Sequence, residues 1–222
     1  MIFFDTKVLY HVSPFLLILS FCCYVECEEK EKRQHGTGDL PRGRSKRDFL
    51  MVLNTTEPLY LYYYSFNDSE KCNGTDCIVE TGTCDHMRKI SLTTSQYNFT
   101  RSFLNPPSGW TNETYMGEFA NFTSEKPVGM MVTNTTSEAA GKWDVQLKYN
   151  QPDTYNCSVI TITPTSGNEG RMICAMYIRG DLLNGTLPPD YCQVDYLTQC
   201  PMATMYKPYM WNCSSYLNTI EE

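Results

Sequence analysis

The chain has 222 residues with 25 acidic and 18 basic side chains, a formal charge of −7. That balance excludes the basic stripe a nucleic-acid binder needs, and the length fits one domain, or two small ones, with a real core. A hydrophobic share of 41% with mean hydropathy −0.39 excludes a membrane bundle and a disordered chain, so 11 Cys and 16 Tyr stand out as the informative excesses.

Lys7 and His11 precede the apolar run Phe15 to Val25. That run is too short to span a bilayer and has the length of a signal-peptide core. Val25-Glu26-Cys27 supplies an aliphatic and a small residue at the usual cleavage positions, so residues 1–27 are read as a signal peptide. Cleavage removes Cys22, Cys23 and Cys27 and leaves Cys72, Cys77, Cys84, Cys157, Cys174, Cys192, Cys200 and Cys213. An even set in an oxidising compartment predicts up to four disulfides.

Residues 28–47 hold 7 basic and 4 acidic residues without an apolar period and read as a charged disordered leader. The leader ends in Arg44-Ser45-Lys46-Arg47. That pattern fits a short propeptide cut by a furin-like convertase, or a solvated basic linker. The remaining domain, 48–222, carries a net −9. Glycosylation is expected at the sequons of Asn54, Asn67, Asn73, Asn98, Asn112, Asn121, Asn134 and Asn184. Those of Asn156 and Asn212 have a cysteine in the middle and are expected to stay empty. No later stretch reaches membrane length, so the product is expected to be secreted, extracellular, and without membrane or nucleic-acid partners.

Eight stretches combine β-branched or aromatic residues with turn punctuation. They are Pro58 to Ser65, Ile78 to Thr93, Gln96 to Leu104, Trp110 to Phe122, Val128 to Asn134, Lys142 to Asn150, Asn156 to Thr163 and Arg171 to Ile178. In the sixth, Trp143, Val145, Leu147 and Tyr149 alternate with polar residues, as on a half-buried strand. The fold class is all-β: an eight-stranded antiparallel barrel able to hold one small ligand, with a two-sheet sandwich as the structural alternative. Pro188-Pro189-Asp190 predicts a short helix through Cys200, with Cys192, Tyr196 and Cys200 along one face.

The C-terminal third carries Cys157-Ser158-Val159, Cys174-Ala175-Met176-Tyr177, Pro188-Pro189-Asp190-Tyr191-Cys192, Cys200 and Cys213. With Glu57-Pro58-Leu59-Tyr60 and Asn98-Phe99-Thr100-Arg101-Ser102-Phe103, this framework resembles the tick salivary lipocalins of the histamine-binding family. The resemblance covers essentially all of 48–222. It implies a secreted, disulfide-stapled lipocalin barrel with a C-terminal helix packed outside, which sequesters small host mediators to suppress host defence. It also implies Cys157–Cys192 and a bridge from Cys213 to an early cysteine, Cys77, leaving Cys174–Cys200 and Cys72–Cys84.

Amine-binding members of that family carry Cys-Asp-aliphatic, then Glu-Leu-aromatic, then Cys, and the two acids hold the cation. Here Ser158 and Ala175 stand at the acid positions, and only Val159 and Tyr177 match. Glu57 and Tyr60 stand where the family has an acid and Trp, which could still grip an amine through charge and cation–π contact.

Strand alternation puts Ser158, Ile160 and Ile162 on one face and Ile173, Ala175 and Tyr177 on the equivalent face of the next strand. An interior lined by them favours a hydrophobic lipid mediator, unless side chains simply fill the barrel. If Asn98 carries a glycan, Tyr97, Phe99, Arg101 and Phe103 point inward. An inward Arg101 is then paired with an internal acid such as Glu113, reaches the barrel mouth, or anchors a ligand carboxylate.

No enzyme, metal or cofactor is expected. His86 is the lone histidine of 48–222 and, beside Asp85, reads as part of a surface turn pair. Two functions stay open: a monomeric sink for an amine or lipid mediator, and an immune modulator that binds a host protein, such as a complement factor or receptor, on the same barrel.

Overall fold

Strand β1 (Leu59–Phe66) is followed by β2 (Ile78–Glu80), β3 (His86–Leu92), β4 (Gln96–Asn105), β5 (Gly109–Phe119), β6 (Gly129–Asn134), β7 (Lys142–Asn150), β8 (Cys157–Pro164) and β9 (Ile173–Arg179). This computed structural model describes residues 46–66, 77–119, 128–137, 141–165, 171–182, 187–200 and 204–218. All of them lie in the compact unit Gly43–Glu222. The expected signal peptide, residues 28–45 of the leader, Cys72, and the sequons of Asn67, Asn73, Asn121 and Asn184 lie outside the described residues.

β1 and β3 to β9 pair antiparallel in chain order, and β9 returns to β1 from Leu59↔Arg179 to Phe66↔Ile173. That last pairing closes an eight-stranded barrel and leaves no open edge in the ring, so the sandwich alternative falls. β2 stands outside the ring and pairs in parallel with β10 (Met205–Lys207), which in turn meets β1 at Tyr64↔Tyr206. The expected strand Ile78 to Thr93 is therefore two strands. Gly82 and Cys84, both in the left-handed region with φ of 60° and 47°, break it.

Period-two alternation divides the apolar residues between two cores. Leu59 and Leu61 join the interior cluster, whereas Tyr60 and Tyr62 join a second cluster on the outer wall. A bulge between Leu61 and Tyr63 shifts the phase by one residue, so Tyr63 stays outside and Tyr64 turns in. A second bulge, between Leu147 and Tyr149, corrects the simple alternation expected for β7. Trp143, Val145 and Leu147 face the interior cluster, but Tyr149 packs outside. Between β6 and β7 the strands approach closely at Gly129, where a Cβ would lie 2.6 Å from the Val145 carbonyl oxygen.

Helix α1 (Lys46–Leu53) precedes the barrel. Its first two residues belong to the stretch expected to be disordered, which corrects the leader's end. The cause is local: Phe49, Val52 and Leu53 recur at helical spacing and bury that face in the interior cluster. Helix α2 (Asp190–Gln199) buries Cys192 and Tyr196 against the outer wall, and α3 (Cys213–Asn218) ends the described chain.

Disulfides staple the outer cluster. Cys157 is joined to Cys192, and Cys174 to Cys200. Cys213 is joined to Cys84, across 129 residues, which corrects both the Cys77–Cys213 and the Cys72–Cys84 expectations. The reason is the chain break before β3. It carries Cys84 beneath the C-terminal segment, where its N–H donates to the Pro208 carbonyl at 3.0 Å. Cys77 is also disulfide-bonded.

Candidate functional site

The barrel is hollow. It encloses a cavity of about 450 Å³, closed at the end where β1 begins by Phe49, Val52 and Leu53 of α1. From β4, Phe99, Arg101 and Phe103 line it; from β8, Ser158, Ile160 and Ile162; from β9, Ile173, Ala175 and Tyr177. These positions follow from alternation once Cys157 turns outward to reach Cys192. Tyr97 also points inward, fully buried at the base of the same wall.

Glu57 and Tyr60 are not in the cavity, which corrects the acid-and-ring candidate. Glu57 is exposed, and its carboxylate sits over Gly180, where a Cβ would come within 3.4 Å of both oxygens. Tyr60 is buried on the opposite side of β1, its ring 5.3 Å from Tyr209 and 5.5 Å from His86. Leu59 and Leu61 take the inward places, so Tyr60 between them has to face out.

Four features of the site escape simple motif reading: the apolar face of α1, Met87, the aromatic wall beyond β4, and Asp85. On that wall Tyr97 stacks on Phe99 at 4.8 Å, Phe99 stacks on Tyr115 at 5.3 Å, and Trp143 meets Tyr115 edge-on at 6.0 Å. Each such pair is worth about 0.5–1.5 kcal/mol beyond its buried area. The ladder crosses from β4 through β5 to β7.

Asp85 is the unexpected group. It is buried and lines the cavity, held by its carbonyl, which accepts from the Leu61 N–H at 2.9 Å. Its carboxylate receives Arg101 side-on: Nε lies 3.0 and 3.1 Å from the two oxygens, and Nη2 lies 2.5 Å from Oδ2. Glu113, the internal acid offered as an example, does pair with Arg101, but loosely: Nη1 lies 3.9 Å from its Oε2, which accepts the Tyr115 hydroxyl at 2.6 Å, and the bidentate place goes to Asp85. The guanidinium also lies 5.0 Å over the Phe103 ring.

Burial disfavours the charge on Arg101, but the Asp85 hydrogen bonds and Coulomb attraction outweigh it, so its pKa is raised and it stays a cation. Burial first, then the Asp85 charge, pushes the Tyr177 phenol up, so it remains neutral and a hydrogen-bond donor. Two carboxylates against one guanidinium leave the cluster with a net negative charge.

The Asp85–His86 pair is not a surface turn. Asp85 points into the barrel and His86 out of it, and both are buried. His86 Nδ1 donates to the Cys84 carbonyl at 2.9 Å, and its ring meets Trp110 edge-on at 5.8 Å. Alternation with the inward Met87 is the signal that places Asp85 inside. Among the described residues no group of three His, Cys, Asp or Glu side chains is placed to hold a metal, and no helix is long and apolar enough to cross a membrane.

Solved structures similar to the chain are lipocalin-like barrels. A biogenic amine-binding protein matches at a TM-score of 0.50 with 11% identity, over 84% of this chain and 96% of that one. The tryptamine complex of the amine-binding protein of Rhodnius prolixus matches at 0.48 with 10% identity, over 84% and 95%. Japanin from Rhipicephalus appendiculatus, bound to cholesterol, matches at 0.41 with 13% identity, over 70% and 93%. At these identities the likeness concerns the fold. No curated protein matches the sequence. The family model of the tick histamine-binding protein matches residues 39–215. Because that match runs through α1, every barrel strand and α2, the chain belongs to the tick histamine-binding protein family.

Proposed function

We propose that this protein is a secreted, glycosylated lipocalin that sequesters a small hydrophobic host mediator inside its barrel and so suppresses host defence. One observation carries the reading. The cavity of about 450 Å³ is walled by isoleucines and stacked aromatics, while the two positions where amine-binding relatives place acids hold Ser158 and Ala175. Such a wall gains by covering apolar ligand surface, and the few polar groups fix orientation.

Uptake of an aromatic amine is the second reading. The excess of carboxylate in the Asp85, Arg101 and Glu113 cluster, beside a stacked ring wall, favours it.

Native mass spectrometry of the secreted protein tests the proposal. A co-purifying small molecule, or uptake of an added hydrophobic fluorophore, is expected. Ala175→Trp, which fills the cavity from β9, should abolish uptake in a protein that keeps its circular dichroism spectrum. Unchanged uptake by that variant would move binding out of the barrel.

A further inference from the structure

We propose that Asp85 sets the charge selectivity of the cavity: by occupying the Arg101 guanidinium it makes the barrel accept neutral or cationic hydrophobic molecules and reject lipids that end in a carboxylate. The inference rests on the barrel being the binding site, as above.

Arg101 is the one cation among the residues that line the cavity as described, and by itself it would attract a carboxylate. Its side-on edge, Nε with Nη2, is one of the two pairs of donors that grip a carboxylate in bidentate fashion, and both face Asp85. The remaining Nη1 faces Glu113 at 3.9 Å, and the ring of Phe103 lies against the guanidinium. A ligand carboxylate arriving here finds the side-on fork taken and is left the end-on edge, whose Nη1 already faces an acid. It meets two carboxylates in a half-buried place where charges are poorly screened, so its approach is repulsive. A hydroxyl carries no such penalty, because it can donate to Glu113 or accept from Arg101. An ammonium gains from the net negative charge.

Asp85 is built to hold this position. Its side chain is 7% exposed, against 39% for Arg101, so the acid is the fixed member and the arginine reaches to it from across the β3–β4 seam. The backbone of Asp85 is tied to Leu61 of β1, which keeps the carboxylate from turning outward.

The test uses three probes with the same chain, decanol, decanoic acid and decylamine, titrated into the full secreted protein at neutral pH. The wild type is expected to bind decanol and decylamine and to bind decanoic acid at least about tenfold more weakly than decanol, the range a charged hydrogen bond commands. In Asp85→Asn the acid-to-alcohol affinity ratio should rise about 10- to 100-fold, and the amine-to-alcohol ratio should fall. Wild-type protein that binds the acid as tightly as the alcohol overturns the inference without any variant, as does a folded Asp85→Asn protein with an unmoved ratio. Failure of all three probes to bind strikes instead at the barrel as a site for hydrophobic ligands.

Discussion

The Arg179 guanidinium donates a 2.7 Å hydrogen bond from Nη2 to the carbonyl oxygen of Met51, joining the last strand of the barrel to the helix that closes it. The same nitrogen reaches the Val52 carbonyl at 3.0 Å, so a cation sits on the exposed carbonyls at the C-terminal end of α1. Burial lowers the Arg179 pKa, and the nearby Glu57 charge works against that. Arg179→Gln should cost about 1–2 kcal/mol in chemical denaturation, given the group's partial exposure. It should also speed probe release in stopped-flow, because Phe49, Val52 and Leu53 then swing more freely over the cavity. Release at the wild-type rate would show that α1 is no barrier.

The Cys84–Cys213 bridge spans 129 residues and Cys174–Cys200 spans 26. On the loop-entropy estimate the first contributes about 5 kcal/mol and the second about 3.5. The Cys84→Ser/Cys213→Ser double variant should therefore be destabilised more than Cys174→Ser/Cys200→Ser, by about 1.5 kcal/mol in denaturant titrations. Disulfide mapping of the native protein should yield a peptide linking Cys84 to Cys213.

His86 is held neutral between Tyr60, Trp110 and the Cys84 carbonyl. Burial lowers its pKa, the Cys84 and Asp85 interactions oppose this, and the Arg88 charge adds to it. A histidine depressed in the folded state leaves the unfolded chain with more bound proton below about pH 6.5. Stability should thus be flat above about pH 6.5 and fall as pH drops below it, by at most about 1.4 kcal/mol per pH unit from this residue. Denaturant midpoints measured from about pH 7.5 to 5.5 should show a shallower decline in His86→Phe than in the wild type.

Asn134 is 7% exposed, and its Oδ1 accepts from the N–H of Thr136 at 2.8 Å, the Thr136 hydroxyl at 2.6 Å and the N–H of Ser137 at 3.2 Å. Asn54 and Asn112 are exposed. Glycopeptide mapping of the secreted protein is expected to find Asn54 and Asn112 occupied and Asn134 bare. A glycan on Asn134 would require its buried side chain to present Nδ2 to solvent.

Glu57 lies outside the barrel and Phe99 inside the aromatic ladder. Probe affinity should be unchanged in Glu57→Ala. In Phe99→Ala it should fall by about tenfold or more, the loss of two stacked faces. The reverse result would return the acid before the opening strand to the ligand site.

Alternation was enough to aim the β4, β8 and β9 side chains inward, because each strand has one parity and a buried cysteine or a sequon fixes it. Parity failed where a bulge changed it, as at Tyr149, and it was not applied at Asp85, which reads as part of a surface turn although it alternates with the inward Met87. Which cysteine meets Cys213 was also out of reach, because pairing depends on where the break before β3 carries Cys84 in space. The amino-acid sequence by itself determined a barrel-length set of strands, two of the disulfides in its cysteine framework and an apolar lining, which rest on period, composition and family resemblance. Only the tertiary structure decided that Asp85 and Arg101 neutralise each other inside the cavity. That contact joins residues 16 apart on neighbouring strands, and it exists because closing the barrel turns both side chains toward the same enclosed space.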